Sequence, residues 1–564
     1  MPLTPVGIID RPRRLRLSGS RFGGPGLGGR PKRYGRPRRW PWVVALLVVA
    51  LVIGLGGYAL VTRDSAGAQR RTVDAFLAAW ARNDPAAMAA LVDNPPADFA
   101  RQVSGFTGAL RVTSARFERV DVTGYRADLQ IAGVVPLGYS GEVPLVQRGD
   151  AWRVVWSPSV LHPGLRPGLH VALFRSTGSR AKLVAADGAP LRGRDADIDS
   201  NLLGTVGPLT AEQAQTAGPR YQAGAVAGQS GLERAYNDRL GGTPGYTAAL
   251  VDSAGRPVSV LVTTLPTAGS TVATTIDLRV QKAAGAALAP LAKPGALVAV
   301  DARTGGVLAL ANNPVGGFSR ALRGTYPPGS TFKIITATAG LMAGRTPDTL
   351  LDCPASVNAY GLVIRNAESE QLGPISFATA FAHSCNTAFI NLEQSLPKGS
   401  VTRAAQLFGF DGSQPLPIAS VGGKFPPPGD AAEGAAASIG QGEVIASPLH
   451  MASVAAAVAA GQWRRPFVAG GPDVTHPLPP AVAATLRSYM AGVVQYGTAA
   501  GAGLPPGTFG KTGTAEFGNA DPPQTHAWFV GFRGDVAFAV VVDGGGAGGA
   551  AAAPVAARFL RLLG

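Results

Sequence analysis

Ser330 and Lys333 stand three residues apart, where Pro327-Pro-Gly-Ser-Thr-Phe-Lys gives way to a long apolar run. Pro and Gly halt the preceding segment. The spacing therefore predicts Ser330 at a helix N-terminus, with Lys333 one turn on and on the same face. A serine hydroxyl is a weak nucleophile until a base takes its proton. Lysine serves as that base when burial or a positive field depresses its pKa. A helix N-terminus supplies such a field, and its free N–H groups can hold an oxyanion. The pair alone assigns nothing, because most S-x-x-K spacings on helices are a cap and a solvated charge.

Two further clusters change its weight. Ser384-Cys385-Asn386 precedes another apolar helix, 54 residues after Ser330. Lys511-Thr512-Gly513-Thr514 lies in a strand-like run, 127 residues after Ser384. On a strand Thr512 and Thr514 face one side, so two hydroxyls can receive a carboxylate there. Lys511 adds the positive charge a carboxylate requires. Gly513, lacking a side chain, is expected to let a substrate backbone lie close.

The elements that must position these groups follow from patterning. Residues 295–301 and 306–312 flank a turn at Arg303-Thr-Gly-Gly, a hairpin signal. A Gly-rich loop at 544–549 precedes an apolar C-terminal helix over 550–563. Upstream, residues 66–163 open with a helix over 72–81 and a second after Asp84-Pro85, then alternate as strands at 110–112, 115–122, 125–131 and 152–156. Helices first and a meander after predict a small α+β domain. Residues 164–290 are irregular: a strand, turn and helix start from Leu202 to Gln213, and a short helix after Gly231.

Composition bounds the class. The chain has 564 residues, 46% hydrophobic and 15% charged, which excludes bulk disorder. Its two cysteines exclude a disulfide scaffold and a cysteine-based zinc cluster. Residues 1–39 carry eleven Arg or Lys and one acid, so much of the +16 net charge is a Gly/Pro-containing tail expected to be disordered. The 22 uncharged residues 40–61 follow, about 33 Å as a helix. The flanking bases place the tail in the cytoplasm and residues beyond 64 outside, in a single-pass cell-membrane protein. That arrangement assigns the basic tail to a membrane rather than to nucleic acid.

S-x-x-K, S-D-N and K-T-G, in this order, are shared by penicillin-binding proteins and β-lactamases. Here Cys385 replaces the middle Asp. With Ser438-Ile-Gly-Gln-Gly, Val493-Val-Gln-Tyr-Gly-Thr-Ala499 and His526-Ala-Trp-Phe-Val-Gly, the chain resembles a class B penicillin-binding protein. Residues 291–564 resemble the transpeptidase domain, an α/β serine domain like that of β-lactamases. Residues 164–290 resemble the pedestal or dimerisation domain, through Arg180, Asp187-Gly188, Gly231-Leu-Glu-Arg and Thr274-Thr-Ile-Asp. Residues 66–163 are similar to the cone-shaped, nuclear-transport-factor-2-like domain of the low-affinity enzyme of methicillin-resistant staphylococci. No glycosyltransferase-sized segment separates the apolar span from the pedestal, which argues against class A.

The resemblance implies a multidomain α+β protein that cross-links peptidoglycan stem peptides by D,D-transpeptidation. Ser330 would attack the carbonyl between two D-Ala residues, and Lys333 would take its proton. Ser384 would relay a proton to the departing D-Ala, and Asn386 would orient substrate and lysine. Lys511, Thr512 and Thr514 would hold the terminal carboxylate, with Gly513 beside it. The N–H groups of Ser330 and Thr514 would form the oxyanion hole. Implied partners are a D-Ala-D-Ala donor, an acceptor amine, β-lactams, the membrane and a glycan-polymerising glycosyltransferase. No metal, organic cofactor or nucleic acid is implied. A D,D-carboxypeptidase or serine β-lactamase, and a non-catalytic sensor or scaffold, share the same motifs. His383, His450, His526 and Glu516 read as packing or solvated groups. Whether Cys353 and Cys385 pair is left open.

Overall fold

The computed structural model describes residues 41–218, 221–412, 414–518 and 523–564, without the side chains of 41–43, 53–64 and 368. The basic tail of residues 1–39, and Trp40, lie outside the described residues. One unbroken helix, Pro41–Ala81, replaces the expected apolar span and separate helix from Thr72. Residues 62–71 contain no proline to interrupt it. Among the described residues no helix is long and apolar enough to cross a membrane. Within the expected span only residues 44–52 have described side chains, so that criterion does not reach the whole run.

The end of this helix buries Val73, Phe76 and Trp80 in the first core. Asp84 caps the next helix, Pro85–Ala89, by accepting from Ala87 N at 3.0 Å. The helix Phe99–Leu110 was not expected, and Leu110 ends it instead of opening a strand. Its signal was present: Phe99, Val103, Phe106 and Leu110 recur at helical spacing and are all buried. An antiparallel sheet of Val112–Arg119, Gly124–Ile131 and Leu137–Glu142 completes this α+β unit. Trp80 stacks on Phe117 at 4.3 Å.

The middle region divides between two cores. Its sheet (His170–Ser176, Gly245–Val251, Pro257–Thr264) lends Val171, Ala248 and Leu250 to the first core. Leu202 and Leu203 end a wide, π-type helical turn, Ile198–Leu203, rather than forming a strand. Asp195 Oδ1 accepts from the N–H groups of Asp197 and Ile198 and so starts that turn. The strand follows at Val206–Pro208, and a Thr210/Gln213 capping box opens Ala211–Ala217. Glu233 receives Arg180 at 2.6 Å and Arg192 at 3.2 Å, so two parts of the sequence resemblance meet in space. The turn residues and the helix Leu278–Leu288 join the C-terminal core.

That core is built on five antiparallel strands: β1 Gly295–Asp301, β2 Val307–Asn313, β3 Thr508–Phe517, β4 Gln524–Arg533 and β5 Val536–Val542. Their order is β2-β1-β5-β4-β3. β1 is buried along nearly its whole length, so both sheet faces are covered. Pro448–Ala460, buried on every side, packs on β1 and β5. Leu278–Leu288 and Gly548–Leu563 pack on each other, the first on β2 and the second on β4.

The two sheet edges are treated differently. On β2 the Gln281 amide accepts from Leu310 N at 2.8 Å and donates to Leu310 O at 3.0 Å, standing in for a neighbouring strand. Asp197, 3% exposed, accepts from Asn312 N at 2.5 Å and from its side-chain amide at 3.0 Å. These contacts close an edge that would otherwise invite foreign strands. Burial pushes the Asp197 carboxyl above its usual pKa. Asp197→Ala strands a buried backbone N–H, at about 1–3 kcal/mol. Differential scanning fluorimetry should show a lower first transition. An unchanged transition would mean that the edge is satisfied without this carboxylate.

Candidate active site

Ser330 lies in the turn Gly329–Phe332, which runs directly into the helix Lys333–Met342. The turn is pinned from three sides. Gly329 N donates to Gly440 O at 2.9 Å. Trp528 Nε1, from β4, donates to Pro327 O at 3.0 Å. β3 lies so close that a Cβ on Gly329 would sit 2.6 Å from Thr514 O. Gly329 has φ +51, which suits glycine on a second count. This approach brings the backbone of Ser330 beside that of Thr514, as a shared oxyanion pocket requires.

Gly513 has a packing role in addition to the one expected. A Cβ there would meet Thr331 Cγ2 at 2.8 Å and Pro328 O at 3.0 Å. The missing side chain admits the turn that carries Ser330. Gly440 repeats the device behind the turn, where a Cβ would meet Gly329 O at 2.2 Å.

Lys333 is fully buried. Its Nζ donates to Ser384 O at 2.5 Å and to Asn386 Oδ1 at 2.7 Å, with Ser384 Oγ at 3.3 Å. Ser384 has φ +60, a left-handed conformation rare outside glycine, on the residue whose carbonyl receives the lysine. Burial, reinforced by the charge of Lys511, holds the Lys333 ammonium well below the usual lysine pKa. A neutral amine has two N–H bonds, which match the two short acceptors, and one lone pair left over. Among the described residues no hydrogen bond joins Nζ to the Ser330 hydroxyl; the pair are neighbours on one turn.

Lys511 is equally buried, its Nζ 5.6 Å from the Phe381 ring centre and donating to Thr512 O at 3.0 Å. Burial lowers its pKa to about 7. Both lysines are thus held below the usual lysine range by burial. Thr512 and Thr514 share a face, as the strand period predicts, and each hydroxyl has a partner. Thr512 Oγ1 is 2.5 Å from Thr498 Oγ1, and Thr514 Oγ1 accepts from Gly548 N at 3.3 Å.

The remaining candidates divide plainly. Cys385 is joined to Cys353 in a disulfide with a Cα–Cα distance of 6.3 Å, which decides the pairing the sequence left open. His383 Nδ1 pairs with Glu370 at 3.5 Å, and His526 Nδ1 with Asp543 at 2.9 Å. His450 is buried neutral, its pKa pushed down to about 3 by desolvation. Glu516 is exposed. Sequence reasoning missed Thr498, Trp528, Arg365 and Asn366 at the site. Thr498 lies in a quoted segment, but only the fold sets it against Thr512.

Two family models match: the penicillin binding protein transpeptidase domain over residues 295–561, and the penicillin-binding protein dimerisation domain over 194–274. A curated relative, peptidoglycan D,D-transpeptidase PbpA of Mycolicibacterium smegmatis, is 34% identical over 373 residues, covering 56% of this chain and 74% of its own. Penicillin-binding protein 2 of Pseudomonas aeruginosa, solved with WCK 5153, superposes with TM-score 0.60 at 27% identity, over 69% of this chain and 96% of that one. Penicillin-binding protein A of Mycobacterium tuberculosis, solved as a ceftriaxone acyl-enzyme, gives TM-score 0.54 at 27% identity, over 68% and 98%.

The lysine electrostatics are testable directly. In protein carrying 13Cε-lysine, one buried resonance should titrate near pH 7 and a second should titrate well below the usual lysine range. Lys511→Met should abolish the first and move the Lys333 titration upward, because a repelling cation has gone. A Lys333 resonance that stays cationic through pH 9 would overturn this assignment.

Proposed function

The chain belongs to the class B penicillin-binding proteins and is a peptidoglycan D,D-transpeptidase, and from that premise we propose the following residue roles. Ser330 Oγ attacks the carbonyl carbon of the penultimate D-Ala while the Lys333 lone pair takes the hydroxyl proton. Negative charge on the carbonyl oxygen is held by the N–H groups of Ser330 and Thr514. The C–N bond then breaks. The proton passes from Lys333 through the Ser384 hydroxyl to the amine of D-Ala, which departs. An acceptor amine attacks the ester and gives its proton back along the same path. The new amide forms and Ser330 is regenerated. Asn386 orients donor and lysine; Thr512 and Thr514 bind the terminal carboxylate, with Lys511 beneath them supplying the charge.

The observation that carries this reading is the Lys333 amine, buried, held by Ser384 and Asn386, and one turn from Ser330. A β-lactam enters by the same first step. Its broken amide stays tethered to the acyl group, so no leaving group diffuses away and the ester persists.

We further infer the division 1–39, 40–61, 66–163, 164–290 and 291–564 for tail, span, cone-shaped domain, pedestal and transpeptidase domain. Membrane anchoring is supported by residues 44–52, where large apolar side chains at consecutive positions are exposed on all sides of the helix. The basic tail then lies in the cytoplasm and the catalytic domain outside. A partner that polymerises lipid-linked glycan would complement a chain whose own segment before the pedestal is one small α+β unit.

Intact-mass spectrometry after benzylpenicillin should show one adduct on Ser330 that lasts for hours. It should be absent in Ser330→Ala and form about 10²–10⁴-fold more slowly in Lys333→Ala. An adduct that clears within minutes would indicate a hydrolase instead. The acylation rate should fall as pH rises through about 7, where Lys511 loses its proton and the carboxylate its cation. A rate that keeps rising to pH 9 would contradict that role for Lys511.

A further inference from the structure

The Ser384–Asn386 motif is gripped by two adjacent residues that belong to none of the three motifs. Arg365 ends the strand Leu362–Arg365, and its carbonyl accepts from Asn386 Nδ2 at 2.9 Å. Asn366 follows, and its Oδ1 accepts from Thr387 N at 3.1 Å. Asn366 is itself buried and fixed, its Nδ2 donating to Pro354 O and Glu370 O, both at 2.8 Å.

Each contact answers a specific need. Thr387 N–H is one of the orphan donors in the first turn of the helix Asn386–Gln394. The residue at the cap position is Cys385, whose sulfur is bound to Cys353 and is a weak acceptor. That sulfur accepts from Ala388 N at 3.4 Å, and Asn366 satisfies Thr387 N from another part of the chain. The Arg365 carbonyl decides how the Asn386 amide faces. With Nδ2 spent on that carbonyl, Oδ1 must face Lys333, where it accepts at 2.7 Å. A flipped amide would aim an N–H at the amine. It would occupy the lone pair that has to take the Ser330 proton.

We propose that Asn366, together with the Arg365 carbonyl, is a positioning clamp that holds Asn386 in the orientation leaving the Lys333 lone pair free for Ser330. The inference rests on the reading of Lys333 as the base. It separates two quantities. The clamp acts on proton transfer, whereas Thr512, Thr514 and Lys511, which take the carboxylate, are on β3 and make no contact with it.

The test is single-turnover acylation of the full chain by benzylpenicillin, resolved into the first-order step and the dissociation constant of the preceding complex. Asn366→Ala should slow the first-order step by about ten- to a hundredfold with the dissociation constant within about threefold. Its active-site titre should be unchanged. Asn366→Asp keeps the acceptor for Thr387 but sets a carboxylate against two carbonyls, and should lie between the two. A first-order step within twofold of wild type in the Ala variant would overturn the clamp. So would loss of both constants in step with a falling titre, or failure of both variants to give a titratable site, since the residue would then be structural. Absence of any Ser330 adduct in the wild type would overturn the base assignment first, and this inference with it.

Discussion

Two lysine side chains share one dry cleft, and only one can hold a charge there cheaply. Desolvation lowers both, and their mutual repulsion lowers Lys333 further. That single constraint assigns the parts. Lys333, with Ser384 O and Asn386 Oδ1 as its short acceptors, is the base in the proposed mechanism. The lysine beneath the two threonines keeps its charge, at a pKa close to ambient. Neither state would survive in an open site, where both amines would be solvated ammonium ions. Burying them requires a close-packed wall on every side.

The wall is made by backbone contact rather than by large side chains. Gly329 and Gly513 let the nucleophile turn press directly on β3, and Gly440 lets the backing loop press on the turn. Any Cβ at these three positions would overlap backbone or a fixed methyl group. The result is that the turn carrying Ser330 lies against the Thr514 backbone while Lys333 is sealed from water. Aromatic packing behind the turn, with Phe332 stacked on Phe425 at 5.2 Å, removes what freedom is left. Preorganisation of this kind costs stability elsewhere, and the left-handed Ser384 is one place where it is visible.

The catalytic pattern was legible because its determinants are local. A Pro-Gly turn before an apolar helix places Ser330 and Lys333, and a strand period places Thr512 with Thr514. The central hairpin was legible for the same reason. What sequence could not show was which distant groups complete each site. Thr498 meets Thr512 only through the fold, and Asn366 caps a helix that begins 20 residues later. The disulfide likewise needed the third dimension. Local errors have local causes. Leu202 and Leu203 look like strand until Asp195 is seen to cap a helical turn, and the helix Phe99–Leu110 had a readable period that the strand alternation after it obscured.

The same sheet explains why one edge is closed and the other is left for chemistry. An unpaired strand edge accepts any extended chain, which is a hazard unless the acceptance is restricted. On β2 the hazard is removed by side chains: Gln281 imitates a neighbouring strand, and Asp197 occupies the next amide. Among the described residues no strand pairs with the outer edge of β3. Such an edge is the kind an extended peptide can join. Selectivity then comes from what flanks the edge. The turn carrying Ser330 packs against β3 at Gly513 and Thr514, and the N-terminus of Gly548–Leu563 meets the Thr514 hydroxyl, beside which the proposed mechanism puts the terminal carboxylate. A chain lacking that carboxylate gains main-chain hydrogen bonds but leaves Lys511 and both hydroxyls without an anion. In the proposed mechanism the cation that adds to the lowering of the Lys333 pKa is also the group that receives the substrate, which would tie recognition to the activation of the base.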